Sequence, residues 1–237
     1  MTTFIMVQAR QGSKRFKNKV LHKINDNEII KLQFKRLIKI KSKKKIYFLI
    51  PRKNNQELKK FLTKNKINYF LGDERDVLSR YYKAAKKLKA KKIIRLTGDC
   101  PLIDFRLVDR LIKLFNSSSK DYISNTIKRS FPHGMDMEMF TFKTLSRIKF
   151  YAKSKYDKEH VTSYLTKNQD KFLIKHFLKT KNEKNFRITV DYKEDLKVVD
   201  KIVSYFKPNI YFSSNQIVKF LKRRSDIKKI NLRYNIY

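Results

Sequence analysis

The chain has 237 residues, 41% of them hydrophobic and 13% aromatic, enough to bury a substantial core and inconsistent with disorder. Lysine and arginine total 59 against 21 acidic residues, a formal net charge of +38, which points first to nucleic acid or an anionic membrane surface. Lysines outnumber arginines about three to one and are spread along the whole length among Ile and Asn, a compositional bias rather than a groove of clustered arginine and aromatic residues, so no specific nucleic acid is expected. The single cysteine, Cys100, excludes an internal disulfide and fits a reducing, cytoplasmic compartment. No stretch approaches the ~18 apolar residues of a membrane span, and the N-terminal apolar run is too short for a signal peptide, so no membrane insertion is expected.

In chain order, residues 4–7 form a short apolar run that gives way to Gln8-Ala9-Arg10-Gln11-Gly12-Ser13-Lys14-Arg15, a buried strand feeding a polar loop. Ile30, Phe34, Leu37 and Ile38 fall at helical spacing within 28–40. Residues 46–50 read as a second strand closed by Pro51, 54–64 as a helix opened by an Asn cap, and 67–71 as a third strand closed by Gly72-Asp73. A helix over 76–89, a strand over 92–96 and a helix over 104–115 opened by Asp104 follow. The second half is less regular: strands over 122–125 and 135–142, helices over 144–151 and 158–168, strands over 172–177 and 186–190, then helices over 194–206 and 215–223. This alternation predicts a three-layer α/β/α Rossmann-like domain spanning 1–237, its sheet mainly parallel, with 121–180 as a β-rich insertion serving acceptor binding or dimerisation.

Only four glycines occur, Gly12, Gly72, Gly98 and Gly134, each at or beside a predicted strand end among polar residues. In an open parallel sheet the loops at the carboxyl ends of the strands form the ligand crevice. Any one of these glycines could simply make a turn; their joint placement favours a common site. Backbone amides around Gly12 and Ser13, with Arg10, Arg15 and Lys19 nearby, suit a triphosphate, although neither Walker A nor Gly-x-Gly-x-x-Gly spacing is present. Asp99 follows the apolar run Ile93-Ile94-Arg95-Leu96 at a strand end and could hold Mg²⁺, and Asp191 at the end of another predicted strand could complete a pair of hard oxygen ligands. The alternative for Asp99 is a turn or helix-capping residue. For Asp191, Glu194 or Asp195 could serve equally, or Asp191 could only cap the next helix.

The residues Gln8-Ala9-Arg10-Gln11-Gly12-Ser13-Lys14-Arg15 with Lys19-Val20-Leu21, then Asp76-Val77-Leu78-Ser79-Arg80-Tyr81, and Arg95-Leu96-Thr97-Gly98-Asp99-Cys100-Pro101-Leu102-Ile103-Asp104 occur in that order. Ser124-Asn125, the segment from Pro132 to Glu138, Glu159-His160-Val161-Thr162 and Arg187-Ile188-Thr189-Val190-Asp191-Tyr192 follow. Together they resemble the cytidylyltransferase family that contains the CMP-sugar synthetases, most closely the branch named after the spore coat polysaccharide biosynthesis protein SpsF. The family commonly reads Arg-Leu-Pro-Gly-Lys where this chain has Arg15-Phe16-Lys17-Asn18-Lys19, so the turn that presents Lys19 lacks its Pro and Gly; Asn18 can supply the left-handed conformation instead.

The resemblance implies a nucleotide-diphospho-sugar-transferase-like fold, CTP as donor, Mg²⁺ as cofactor, and an acidic sugar as acceptor, in the synthesis of a surface polysaccharide or glycan. It places Ala9, Arg10, Gly12, Ser13, Arg15, Lys19, Arg80, Thr97 and Gly98 around the nucleotide. Arg10, Lys19 and Asp99 become the catalytic set, and Asp99 and Asp191 the metal ligands. Asp136 and Glu138, alternating along a predicted strand and so facing one way, are candidates for sugar hydroxyls. His160 is a candidate for the acceptor or its carboxylate, or else a structural histidine. A homodimer is expected by analogy of fold. Two other classes are a basic nucleic-acid-binding protein and a non-catalytic relative of the same fold; residues 205–237 carry no motif.

Overall fold

A computed structural model describes residues 2–13 and 15–235. Lys14, part of the first motif, lies outside the described residues.

Strand β1 (Thr3–Gln8) is buried on both faces, as expected of a central strand in a sheet covered on both sides. A short hairpin, β2 (Lys23–Ile24) and β3 (Asn27–Glu28), leads into α1 (Ile29–Leu37). Strand β4 (Lys44–Pro51), helix α2 (Gln56–Lys64), strand β5 (Tyr69–Gly72), helix α3 (Val77–Lys87), strand β6 (Lys92–Thr97) and helix α4 (Phe105–Asn116) complete the regular half. Asp76 and Asp104 cap α3 and α4 through their side chains. There follow β7 (Tyr122–Ser124), β8 (Glu138–Thr141), α5 (Phe142–Tyr151), α6 (Lys155–His160), α7 (Ser163–Lys167) and β9 (Ile174–His176). Helices α8 (Lys193–Phe206), α9 (Ser214–Arg223) and α10 (Ser225–Lys229) and a 3-10 turn over Leu232–Tyr234 end the chain.

Seven strands form one sheet in the order β5-β4-β1-β6-β8-β7-β9. β1 pairs in parallel with β4 on one side and β6 on the other, and β4 with β5, while β8 runs antiparallel to both β6 and β7. Alternation sorts the side chains of β1: Ile5 and Val7 join one core with α1, α2, α4, α8 and α9, and Phe4 and Met6 join the other with α3, α5 and α7. The chain leaves β1 toward β4 and β5, then returns to β6 on the opposite side. The crevice at the carboxyl ends of β1 and β6, where Gln8 lies opposite Thr97, is therefore the switch point at which such sheets bind ligands.

In the second half, three elements depart from the sequence reading. They lie in and after residues 121–180, which supply β7, β8 and β9 to the same sheet, with α5 packed on β8, α6 on α3, and α7 on α5 and α6. The strand expected over 135–142 begins only at Glu138, so Asp136 is not on it. The helix expected over 158–168 breaks at Val161, whose φ of 57° and ψ of −62° belong to a tight γ-turn in which Thr162 N donates to His160 O at 2.6 Å. The apolar stretch 186–190 is extended and buried but is no strand of the sheet. It is a strap across the strand ends, bridged to His133 through Arg187 and to Asp99 through Val190, and apolar periodicity cannot tell such a strap from a strand.

Candidate nucleotide and cation site

The loop after β1 is built on Gln11. Its backbone N–H donates to Asn55 Oδ1 at 2.8 Å, its side-chain oxygen accepts from Leu58 N at 3.1 Å and its Nε2 donates to Glu57 Oε2 at 2.9 Å, which pins the loop to the start of α2. Ser13 N and Asn18 N both donate back to Gln11 O. Asn18 takes the left-handed conformation, φ 56°, and starts the 3-10 turn Lys19–Leu21 that carries Lys19 inward, so the missing Gly is replaced by one of the few residue types that adopt this geometry at small cost. Across the crevice the turn after β6 lies against β1. Gly98 N donates to Gln8 O at 2.8 Å, and a Cβ on Gly98 would stand 3.0 Å from Ala9 Cβ and 3.2 Å from Gln8 O. A bare backbone is what lets Asp99 approach the first loop.

Lys19 Nζ donates to Asp99 Oδ2 and to Asp191 Oδ1, each at 2.8 Å. Arg15 adds a bond to Asp191 Oδ1 at 2.9 Å, and Arg187 one to Asp191 Oδ2 at 3.1 Å. The strap brings Asp191 here because Asp99 O accepts from Val190 N at 2.8 Å and from Thr189 Oγ1 at 3.1 Å. Burial alone would raise the Asp99 carboxyl; Lys19 overrides it and holds Asp99 well below the usual carboxylate range. Burial likewise opposes the Lys19 charge, and Asp99 and Asp191 outweigh it, so the Lys19 pKa is raised. The turn is held from beneath by α1: Gln33 Nε2 donates to Thr97 O at 2.8 Å and Cys100 O at 3.1 Å, and Arg36 donates to Leu102 O and Ile103 O at 3.0 Å each.

A second cationic cluster lies toward β5. Arg80 is 2% exposed, packed so closely under the end of β5 that a Cβ on Gly72 would come within 2.6 Å of Arg80 Cγ. Its Nη1 donates to Asp73 O at 2.5 Å and its Nε is buried without a hydrogen-bond partner. Burial, with Arg10 nearby, pulls the guanidinium down to about 10. Arg10 is half-exposed and lies 3.6 Å from Glu159.

The predicted residues thus divide. Arg15, Lys19, Asp99 and Asp191 meet at one point, with Ala9, Gly12, Ser13, Thr97 and Gly98 on the two turns around it; Arg10 and Arg80 stand beside it. The acceptor candidates do not converge. Asp136 holds Arg129 in a two-pronged pair at 2.8 and 3.0 Å. Glu138 is paired across the strands with Arg95 and accepts from Tyr122 Oη at 3.0 Å, and Asp136 precedes the strand, so the expected alternation of the two along one strand does not occur. His160 is exposed, its ring tilted at 44° against Tyr156. Sequence reasoning did not single out Gln11, Gln33, Arg36 or Arg187. The last three do leave a signal, a polar residue inside an apolar stripe or run: Gln33 and Arg36 share the buried face of α1 with Ile29 and Ile30.

Two carboxylates reaching one point, with basic groups around it, offer the donor set that Mg²⁺ takes when substrate phosphates supply further oxygens. Among the described residues no group of three or more His, Cys, Asp or Glu could hold a metal on its own. No helix among the described residues is long and apolar enough to cross a membrane.

Comparison with known proteins agrees with this fold. The model of the cytidylyltransferase family matches residues 4–228. The spore coat polysaccharide biosynthesis protein SpsF of Bacillus subtilis is 26% identical over 230 residues, 93% of this chain and 94% of that protein. The structure of a cytidylyltransferase from Leptospira borgpetersenii superposes with a TM-score of 0.91 at 29% identity, covering 95% of this chain and 96% of that one. CMP:2-keto-3-deoxy-manno-octonic acid synthetase, solved in complex with CTP, shares the fold with a TM-score of 0.65 at 15% identity, over 86% of this chain and 99% of that one.

Proposed function

The chain belongs to the cytidylyltransferase family, and on that premise we propose that it transfers CMP from CTP to the hydroxyl of an acidic sugar, releasing pyrophosphate, for the synthesis of a surface polysaccharide or related glycan. The observation that carries this reading is the convergence of Asp99 and Asp191 on Lys19 Nζ, each at 2.8 Å, at the switch point of the sheet. SpsF, a relative of similar length, supports the polysaccharide context, and the CTP complex of the synthetase that shares this fold supports the donor.

The sugar hydroxyl attacks the α-phosphate in line and pyrophosphate leaves, a reaction in which positioning and charge neutralisation dominate. Arg10 and Arg80 hold the phosphates from the β5 side, Arg80 with a guanidinium that no carboxylate among the described residues pairs with. The amide of Gly12 and, once released from Gln11 O, that of Ser13 approach the phosphates from β1. Asp99 and Asp191 would hold Mg²⁺, which would neutralise phosphate charge and lower the pKa of the attacking hydroxyl. Lys19 and Arg15, held by those carboxylates in this structure, turn to the triphosphate and stabilise the departing charge. Asp136 with Arg129, and His160 on the far rim, mark the acceptor side; Glu138 serves the sheet. The enzyme works in the cytoplasm as a homodimer, with the exposed aromatics Phe150, Tyr151 and Tyr156 of region 121–180 as contact surface.

The test is pyrophosphate release from each of the four nucleoside triphosphates against a panel of acidic and neutral sugars in Mg²⁺. Release with CTP and an acidic sugar is expected. Release with UTP, or with neutral sugars alone, overturns the assignment.

A further inference from the structure

The direction of the Asp191 carboxylate is set by residues outside the site. Arg187 lies on the strap with its side chain 3% exposed. Its Nε donates to Asp195 Oδ1 and its Nη2 to Asp195 Oδ2, both at 2.8 Å, and the same Nη2 donates to Asp191 Oδ2 at 3.1 Å. Asp195 is fully buried and immobilised. Its Oδ2 accepts the backbone N–H groups of Asp191 and Tyr192 at 2.9 and 3.1 Å, and its Oδ1 accepts Asn231 Nδ2 at 2.8 Å. Asn231, itself buried, also donates to Arg187 O at 3.2 Å. Tyr234 then stacks on Tyr192 with ring centroids 3.8 Å apart. The segment after α9, which carries no motif, thereby closes on the strap.

The division of contacts is what matters. The two-pronged pair with Asp195 balances the Arg187 charge, so Asp191 does not have to. Arg187 meets Asp191 only through Oδ2, and Oδ1 is left facing Lys19 and the point shared with Asp99. Partners of this kind behind a ligating carboxylate orient it and govern how well it binds.

We propose that Arg187 is a positioning residue that turns Asp191 Oδ1 toward the point shared with Asp99, and that Asn231 holds Arg187 and Asp195 in the alignment this requires; the inference rests on the reading of Asp191 as a cation ligand. Neither residue touches substrate.

The experiment titrates Mn²⁺, as the probe for a hard divalent cation, into protein saturated with CTP and reads binding by water-proton relaxation, with thermal melting and metal-free CTP affinity measured alongside. Asp191→Asn, Arg187→Lys and Asn231→Ala are compared with the unaltered protein. Asn231→Ala is expected to weaken Mn²⁺ binding about 10-fold, the usual scale for outer partners of a metal ligand, with metal-free CTP affinity within about two-fold. Arg187→Lys, which keeps the charge and loses the fork, is expected to weaken it at least as much. A purely structural role would lower the melting temperature and leave the Mn²⁺ midpoint in place below it. A shifted Asp191→Asn beside an unshifted Asn231→Ala overturns the inference alone; Asn231→Ala decides this even where Arg187→Lys fails to fold. An unshifted Asp191→Asn overturns the reading of Asp191 as a ligand, and the inference with it.

Discussion

Lys19 and Asp191 stand 172 positions apart in the chain and 2.8 Å apart in the fold, with Asp99 at the same distance from the same ammonium. One cation separates two carboxylates that would otherwise repel. In the intact protein the Asp99 carboxyl lies well below the usual range, against the effect of burial, because of Lys19. Its stabilising contribution is therefore complete above the ordinary carboxylate pKa and is lost as pH falls through the depressed value.

Lys19→Met reverses that sign. With the ammonium gone, burial and the neighbouring carboxylate raise Asp99 above its unfolded value, so the damage is greatest at neutral pH and is relieved on acidification. A loss of about 3 kcal/mol is expected at pH 7, shrinking toward pH 4.5, because removing one partner strands the other buried charges. Urea unfolding of both proteins across this range measures it; a gap that widens with acid contradicts the pairing.

Asp99→Asn is expected to abolish Mg²⁺-dependent turnover while the fold persists, since the amide keeps the shape and loses the hard anionic ligand. Circular dichroism checks the fold and pyrophosphate release the activity. Release at the unaltered rate in saturating Mg²⁺ removes Asp99 from the cation site.

Arg10→Ala is expected to weaken CTP binding ~10- to 150-fold and acceptor binding little, the equivalent of one charge-assisted phosphate contact of about 1.5–3 kcal/mol. Calorimetric titration with CTP decides it. Unchanged affinity makes Arg10 no more than the surface partner of Glu159.

Arg36→Leu is expected to cost about 3–5 kcal/mol in urea unfolding, since each buried acceptor stripped of its donor costs about 1–3 kcal/mol. Arg36 donates to the carbonyls of Leu102, Ile103, Ile210 and Phe212, so the turn behind Asp99 and the segment before α9 loosen together. Arg36→Lys recovers only part, because an ammonium cannot span four carbonyls as a planar fork does. A loss below about 1 kcal/mol contradicts the bracing role.

The +38 charge separates the enzyme from a nucleic-acid-binding protein. Binding to a random DNA duplex is expected to be weak and to fall steeply between low and physiological salt, whereas CTP binding with Mg²⁺ survives. Fluorescence anisotropy and calorimetry measure the two. Tight duplex binding at physiological salt with no CTP affinity reverses the assignment.

The alternation of apolar runs with amphipathic stretches through residue 116 was enough to define the parallel core, because a strand covered on both faces and a helix with one apolar stripe leave different periodicities. The polar clusters around Arg10 and Asp99 were legible for a related reason: in a parallel sheet, strand ends lead to the ligand crevice, so a polar cluster after an apolar run is carried there; Arg80, on α3, was reached only through the family resemblance. What the sequence could not supply was any contact made by an isolated polar residue across the fold. The extended backbone of 186–190 gives the same apolar pattern whether it joins the sheet or crosses its end, and only the bonds to His133 and Asp99 decide that it crosses. Glu138 looked like a partner for a sugar until Arg95 and Tyr122 proved to occupy it. Asn231 is one amide in a tail without a motif, and its role is set by Asp195 and Arg187, which packing of α8 and the strap brings within its reach.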